Sequence, residues 1–142
     1  MSRNTKTPSC HVLVVEDRHV DLTMAKLLFE HLDCYVDIAQ TATKALEYFL
    51  ERSYQLIVMT IGLPDQTGLE LTEEIRKLEN QSSLLPTPII GLGPHRAKVI
   101  RHQALEAGMN AYFIKPLSLT LCRLLLDQFA LKAEQPKVKH LS

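Results

Sequence analysis

The sequence predicts an α/β fold, a doubly wound parallel sheet of five strands with helices on both faces. Three observations carry this. Strand-like and helix-like segments alternate five times along 142 residues, a length suited to one domain. The third strand segment, Leu56 to Ile61, is apolar at nearly every position, so both of its faces are covered, as in a parallel sheet between helix layers. Polar residues sit at the ends of otherwise apolar strands: Glu16-Asp17 after the first, Thr60 in the third, Lys115 after the fifth.

The elements follow in order. His11 to Val15 is a short apolar run ending in acids, a buried-strand signal. Val20, Met24, Leu27, Leu28 and His31 then recur at helical spacing. Cys34 to Ala39 reads as the second strand. Ala42, Ala45, Leu46, Phe49 and Leu50 form an apolar helical stripe, with Thr41 placed to cap it. After the third strand, Gly68 to Glu79 is a helix turning Leu71, Ile75 and Leu78 inward, and residues 80–87 are a loop containing Pro86. Pro88 to Leu92 is strand four. Arg96 to Ala107 is a helix with Ile100, Ala104 and Ala107 on one side, stopped by Gly108. Asn110 to Ile114 is strand five, and Leu121, Leu124, Leu125 and Phe129 mark the last helix. Residues 1–9 read as a flexible N-terminus, 10–132 as the domain, and 133–142 as a polar tail or linker.

Right-handed crossovers between successive parallel strands give a flavodoxin-like sheet, and for five strands the order 2-1-3-4-5 is favoured. Its ligand crevice opens at the carboxyl ends of strands one and three, where the winding reverses. Glu16, Asp17 and Thr60 fall at those ends, and Lys115 lies on the same edge.

Composition narrows the function. Hydrophobic residues make up 46%, enough for a real core, and the formal net charge is zero. A neutral chain lacks the basic excess of a general nucleic-acid or membrane-surface binder. Cys10, Cys34 and Cys122 are odd in number and lack C-x-x-C spacing, which reads as free thiols in a reducing compartment. With no secretory h-region and no run long enough to span a bilayer, a cytoplasmic location with no membrane contact is expected. None of the six histidines lies in an H-E-x-R-x-P box, and no G-x-G-x-x-G occurs, so ATP binding and kinase activity are not supported.

The segments VVED at 14–17, LIVMTIGLPDQTGLEL at 56–71, TPIIGLGPH at 87–95 and AGMNAYFIKPLS at 107–118 together resemble a response-regulator receiver domain over about residues 11–131. The wording of the second and fourth is most similar to receivers of hybrid sensor histidine kinases. In such receivers a strand-three aspartate takes a phosphoryl group from a phosphohistidine. An acidic pair, that aspartate and a backbone carbonyl hold Mg²⁺, and a lysine steadies the transferred oxygens. A Ser or Thr ending strand four and an aromatic on strand five then switch. The resemblance makes Glu16 and Asp17 the acidic pair, Gly62 the carbonyl donor, Lys115 the lysine and Tyr112 the aromatic, with a cis Lys115-Pro116 bond.

Two positions depart. Thr60 stands where the aspartate belongs, and Gly93 where the switch hydroxyl belongs. A threonine hydroxyl is neutral and needs an adjacent general base; none is placed by the sequence. With one carboxylate fewer, Mg²⁺ binding is expected to be weak or absent, and no cofactor is required. Asp65 is the nearest spare carboxylate, but it lies five residues into the loop. Tyr112 reads equally as a surviving switch and as a half-buried strand aromatic. Thr67 reads as a loop residue before the next helix, and His95 and His102 as solvated.

The expected function is that of a degenerate, non-enzymatic receiver in a two-component phosphorelay, with no catalytic residue. It would bind a protein partner (a histidine kinase, phosphotransfer or output domain) through Arg96 to Phe129, with a homodimer left open. Arg96, Lys98, Arg101 and His102 give that face a basic bias, suited to an acidic patch. The alternatives are a working receiver with an atypical acceptor and a small-ligand sensor at the crevice.

Overall fold

The computed structural model describes residues 10–94 and 98–130. Five strands, β1 (His11–Val15), β2 (Tyr35–Ala39), β3 (Leu56–Thr60), β4 (Ile89–Gly93) and β5 (Ala111–Ile114), form one sheet. Every pairing is parallel and the order is 2-1-3-4-5, as predicted. The helices are α1 (His19–His31), α2 (Ala42–Glu51), α3 (Gly68–Ser82), α4 (Lys98–Ala107) and α5 (Leu119–Leu125); a π-helical turn, Leu126–Ala130, continues α5.

Strand alternation builds two cores, since neighbouring residues point to opposite faces. Leu13, Val15, Ile57, Met59 and Ile89 pack against α2, α3 and α4 through Ala42, Ala45, Leu71, Ile75 and Ala104. Val12, Val14, Leu56, Val58, Ile90 and Leu92 pack against α1 and α5 through Ala25, Phe29, Cys122 and Leu125. β3 and β4 are buried along their whole length, which accounts for their lack of apolar–polar alternation.

The face of α1 differs from the expected one. Val20 is 75% exposed, and Met24 and Leu27 also face solvent, while Leu22, Ala25 and Phe29 enter the core. The helix carries two apolar stripes and only one of them meets the sheet. Leu50 in α2 and Leu124 in α5 are likewise exposed. Thr41 does cap α2, its hydroxyl accepting the Lys44 N–H at 3.0 Å. Thr67 is more than a loop residue. It caps α3 in a reciprocal box with Glu70, each side chain accepting the other residue's backbone N–H at 3.1 Å.

A polar network ties α3 to the sheet's amino edge. Arg76 donates to the Gly108 carbonyl and to Asn110 Oδ1, each at 3.0 Å, and to Glu79 Oε1 at 2.7 Å. The other Glu79 oxygen accepts the Thr87 N–H at 2.8 Å, so this 3%-exposed carboxylate is satisfied on both oxygens.

Candidate functional site

The carboxyl edge gathers the residues that the sequence singled out. Glu16 follows β1 and is buried; its Oε2 accepts the Arg18 N–H at 2.9 Å. Its Oε1 accepts from Lys115 Nζ at 2.7 Å, across 99 positions of sequence. Lys115 follows directly on β5, which ends one residue earlier, and the Lys115–Pro116 peptide is cis.

The second partner of Lys115 is not the other member of the acidic pair. Asp17 is exposed, and Asp21, in the first turn of α1, takes the other Nζ hydrogen bond at 2.8 Å. Arg18 Nε stands 3.5 Å from the same Asp21 oxygen. Neighbours on an extended chain point oppositely, so with Glu16 turned inward Asp17 turns outward. Burial works against the Lys115 ammonium, but the hydrogen bonds and charges of Asp21 and Glu16 outweigh it. Its pKa stands above the ordinary lysine value.

Thr60 closes β3 at only 6% exposure. It lines a crevice with Glu16, Asp21, Met24, Leu92, Lys115 and Leu117. The cavity is about 30 Å³, roughly a tenth of the smallest ordinary small-molecule pockets. It offers a neutral hydroxyl beside an ion triad already satisfied within itself.

This donor set does not fit Mg²⁺. Both oxygens of Glu16 are engaged, Asp21 is tied through Oδ2 to Lys115, Thr60 brings no charge, and Asp17 and Gly62 are exposed. A hard cation that dehydrates reluctantly needs more anionic oxygen than this. Among the described residues no group of three or more His, Cys, Asp or Glu side chains is placed to hold a metal.

Gly93 and Tyr112 form one unit. β4 pairs with β5, and the Tyr112 ring lies against the bare Cα of Gly93. A Cβ at position 93 would collide with the phenolic oxygen and stand 3.0 Å from Cζ. Tyr112 is therefore inward and 4% exposed, and burial raises its pKa against the lowering influence of Lys115. Of the two readings of Tyr112, the structure gives a fully buried ring in the space that a residue-93 side chain would need.

Asp65 is committed to the start of α2. Its Oδ1 accepts the Ala42 N–H and its Oδ2 accepts from the Thr43 N–H and hydroxyl, all at 2.9 Å. These bonds at the α2 N-terminus pull its pKa down to about 2. His102 is exposed and 3.3 Å from Glu106, and Lys98 and Arg101 are exposed on α4. His95 and Arg96 lie outside the described residues, as do the segments 1–9 and 131–142.

A family model matches most of this chain. The model for the response regulator receiver domain matches residues 12–126. The chain belongs to the response-regulator receiver family. It is 34% identical over 122 residues to the aerobic respiration control sensor protein ArcB of Escherichia coli, covering 86% of this chain and 15% of that protein. To the autoinducer 2 sensor kinase/phosphatase LuxQ of Vibrio parahaemolyticus it is 35% identical over 109 residues, 77% of this chain and 12% of the relative. This receiver thus spans a small fraction of those sensor kinases, and the similarity to hybrid-kinase receivers stands.

Among solved structures, the receiver of the Saccharomyces cerevisiae regulator Ssk1, crystallised with the phosphotransfer protein Ypd1, superposes with TM-score 0.81. It is 24% identical and covers 90% of this chain and 94% of that one. The receiver of sensor histidine kinase PA1611 from Pseudomonas aeruginosa gives TM-score 0.76 at 29% identity, with 85% and 97% covered. That protein carries a magnesium ion in its active-site cleft. Among the described residues of this receiver, no helix is long and apolar enough to cross a membrane.

The residue that sequence reasoning missed is Asp21. A signal was present, since it is the one acid in the first turn of α1. Nothing local tied it to a lysine 94 positions away.

Proposed function

We propose that this receiver is a phosphorylation-independent interaction module of a two-component system, held in one conformation by its own sequence. The observation that carries the reading is the triad of Lys115, Glu16 and Asp21 beside a buried Thr60. In a phosphoaccepting receiver that lysine serves the phosphoryl oxygens; here its hydrogen bonds go to two carboxylates. Among the described residues a neutral threonine holds the acceptor position and a glycine the switch position, so the reading assigns no catalytic residue and no resident Mg²⁺.

The same reading gives the aromatic a fixed role. Phosphorylation normally biases a receiver toward the state with its strand-five aromatic inward. A glycine at position 93 leaves that space open permanently, and Tyr112 fills it. The partner surface is then presented constitutively, since a ligand shifts a two-state equilibrium only by its differential affinity for the states. The proposed surface runs over α4, β5 and α5. It exposes Val99, Leu105, Ile114 and Leu124 beside the charges of Lys98 and Arg101. Its partner is a kinase, phosphotransfer or output domain, as Ypd1 is for the Ssk1 receiver.

The test is intact-mass analysis after incubation with acetyl phosphate and Mg²⁺. The expected result is no phosphate adduct on the native chain and slow labelling of Thr60→Asp. A Mg²⁺-dependent adduct on the native chain that disappears in Asp17→Asn would refute the proposal.

A further inference from the structure

The amino edge of the sheet, opposite Thr60 and Lys115, holds a second set of reactive side chains. β1 and β2 pair with His11 opposite Tyr35, so one residue earlier Cys10 stands opposite Cys34. The Tyr35 N–H donates to the Cys10 carbonyl at 3.0 Å, which fixes this register. The rings of His11 and Tyr35 meet at 4.9 Å between centroids, and alternation turns Cys10 and Cys34 to the other face. There both pack into the α1/α5 core together with Cys122. Neighbouring parallel strands lie about 4.8 Å apart, inside the Cα separation of about 4.4–6.8 Å that a disulfide spans.

None of the three cysteines is in a disulfide, and they differ. Cys10 is half-buried and open to small reagents, whereas Cys34 is buried at 7% exposure. The Cys10 side chain hydrogen-bonds Cys34 and lowers its pKa, against the opposing effects of burial and of Asp33. Cys122 is 0% exposed and its thiol is pushed up to about 12 by burial, so it stays protonated and inert.

We propose that Cys10 and Cys34 form a peroxide-sensitive dithiol that closes to an intrachain disulfide. The oxidant is hydrogen peroxide, entering at the Cys10 edge. The Cys34 thiolate attacks one peroxide oxygen and the O–O bond breaks. Cys34 becomes a sulfenic acid, and the departing hydroxide takes up the proton first lost by the thiol. The Cys10 sulfur then attacks the Cys34 sulfur, and the second water leaves with the Cys10 proton. Two thiols lose two electrons and one peroxide becomes two waters. The new bond closes the loop that contains α1, and with it Asp21 and the exposed stripe of Val20, Met24 and Leu27. This inference stands apart from the phosphorylation-independent reading, because no residue of the carboxyl edge takes part.

The experiment treats the reduced 142-residue chain with graded hydrogen peroxide, blocks remaining thiols with N-ethylmaleimide and maps peptides without reduction. The expected product joins the Cys10 and Cys34 peptides with the loss of two hydrogens, while Cys122 is alkylated only after unfolding. Closure of a loop of this size is expected to raise Tm by about 10 °C, reversed by dithiothreitol. In Cys10→Ser the cross-link and the Tm rise disappear, and Cys34 is trapped as a sulfenic acid by dimedone. Separate over-oxidation of Cys10 and Cys34, a bond between two chains, a bond to Cys122, or thiols inert to peroxide that oxidises glutathione would each overturn the proposal. If Cys10→Ser misfolds, the wild-type peptide map decides alone.

Discussion

Replacing Lys115 by Met removes a cation from between two carboxylates and leaves a side chain of similar length. Glu16, whose side chain is 5% exposed, loses its one cationic partner among the described residues, while Asp21, at 32%, keeps Arg18 within 3.5 Å. Stranding one member of a buried pair costs about 3–5 kcal/mol. The partial exposure of Asp21 places this substitution near the lower end, at about 3 kcal/mol. For a domain of this size that corresponds to a fall in Tm of about 10 °C. Urea denaturation at neutral pH, followed by circular dichroism, measures the free energy directly.

The pH dependence tests the cause. In the native chain the folded pKa of Lys115 is raised. Its contribution is therefore complete below the unfolded lysine value of about 10.4 and is lost as pH rises through the folded value. The deficit of Lys115→Met is expected to shrink as pH rises through the folded lysine value, where the native chain loses the same cation. Adding Glu16→Gln is expected to recover more than half of the loss, a coupling that a double-mutant cycle isolates. A loss below about 1 kcal/mol, or a deficit independent of pH and of Glu16→Gln, would show that the triad is not what holds this edge together.

Three further outcomes are expected. Gly93→Thr drives a methyl and a hydroxyl into the Tyr112 ring and is expected to cost about 1–3 kcal/mol by overpacking; adding Tyr112→Ala relieves the clash, and chemical denaturation of both variants reads this. Asp65 has a folded pKa of about 2, below its ordinary 3.8, so its stabilisation is present above about pH 4 and disappears as pH falls toward 2. Asp65→Asn is expected to flatten that part of the acid-unfolding curve, followed by circular dichroism. Reversing charge at Lys98 and Arg101 together is expected to slow partner association more than it speeds dissociation, because exposed charges act mainly on encounter. Surface plasmon resonance at two salt concentrations separates the two rates.

The architecture was legible because it rests on local signals. An apolar run such as Leu56 to Met59 has only one way to hide both faces, and the stop at Gly108 falls where the chain turns. The strand ends then put Glu16, Thr60 and Lys115 on one edge whatever the side-chain detail. The resemblance to receivers added roles to those positions, and the absences at Thr60 and Gly93 were plain in the sequence alone.

Tertiary structure decided which of two equivalent local choices was taken. In α1 the Val20–Met24–Leu27 stripe and the Leu22–Ala25–Phe29 stripe are both helical and both apolar; only docking on β1 and α5 selects the second. Glu16 and Asp17 are adjacent acids, and the sequence assigns the pocket to both. The direction of the chain after β1 turns one inward and one out, and Asp21 takes the vacated place because α1 begins there. Tyr112 is fully buried because β5 lies beside a strand whose residue 93 has no Cβ. Each of these outcomes depends on atoms far apart in sequence and touching in space, which no periodicity within one segment encodes.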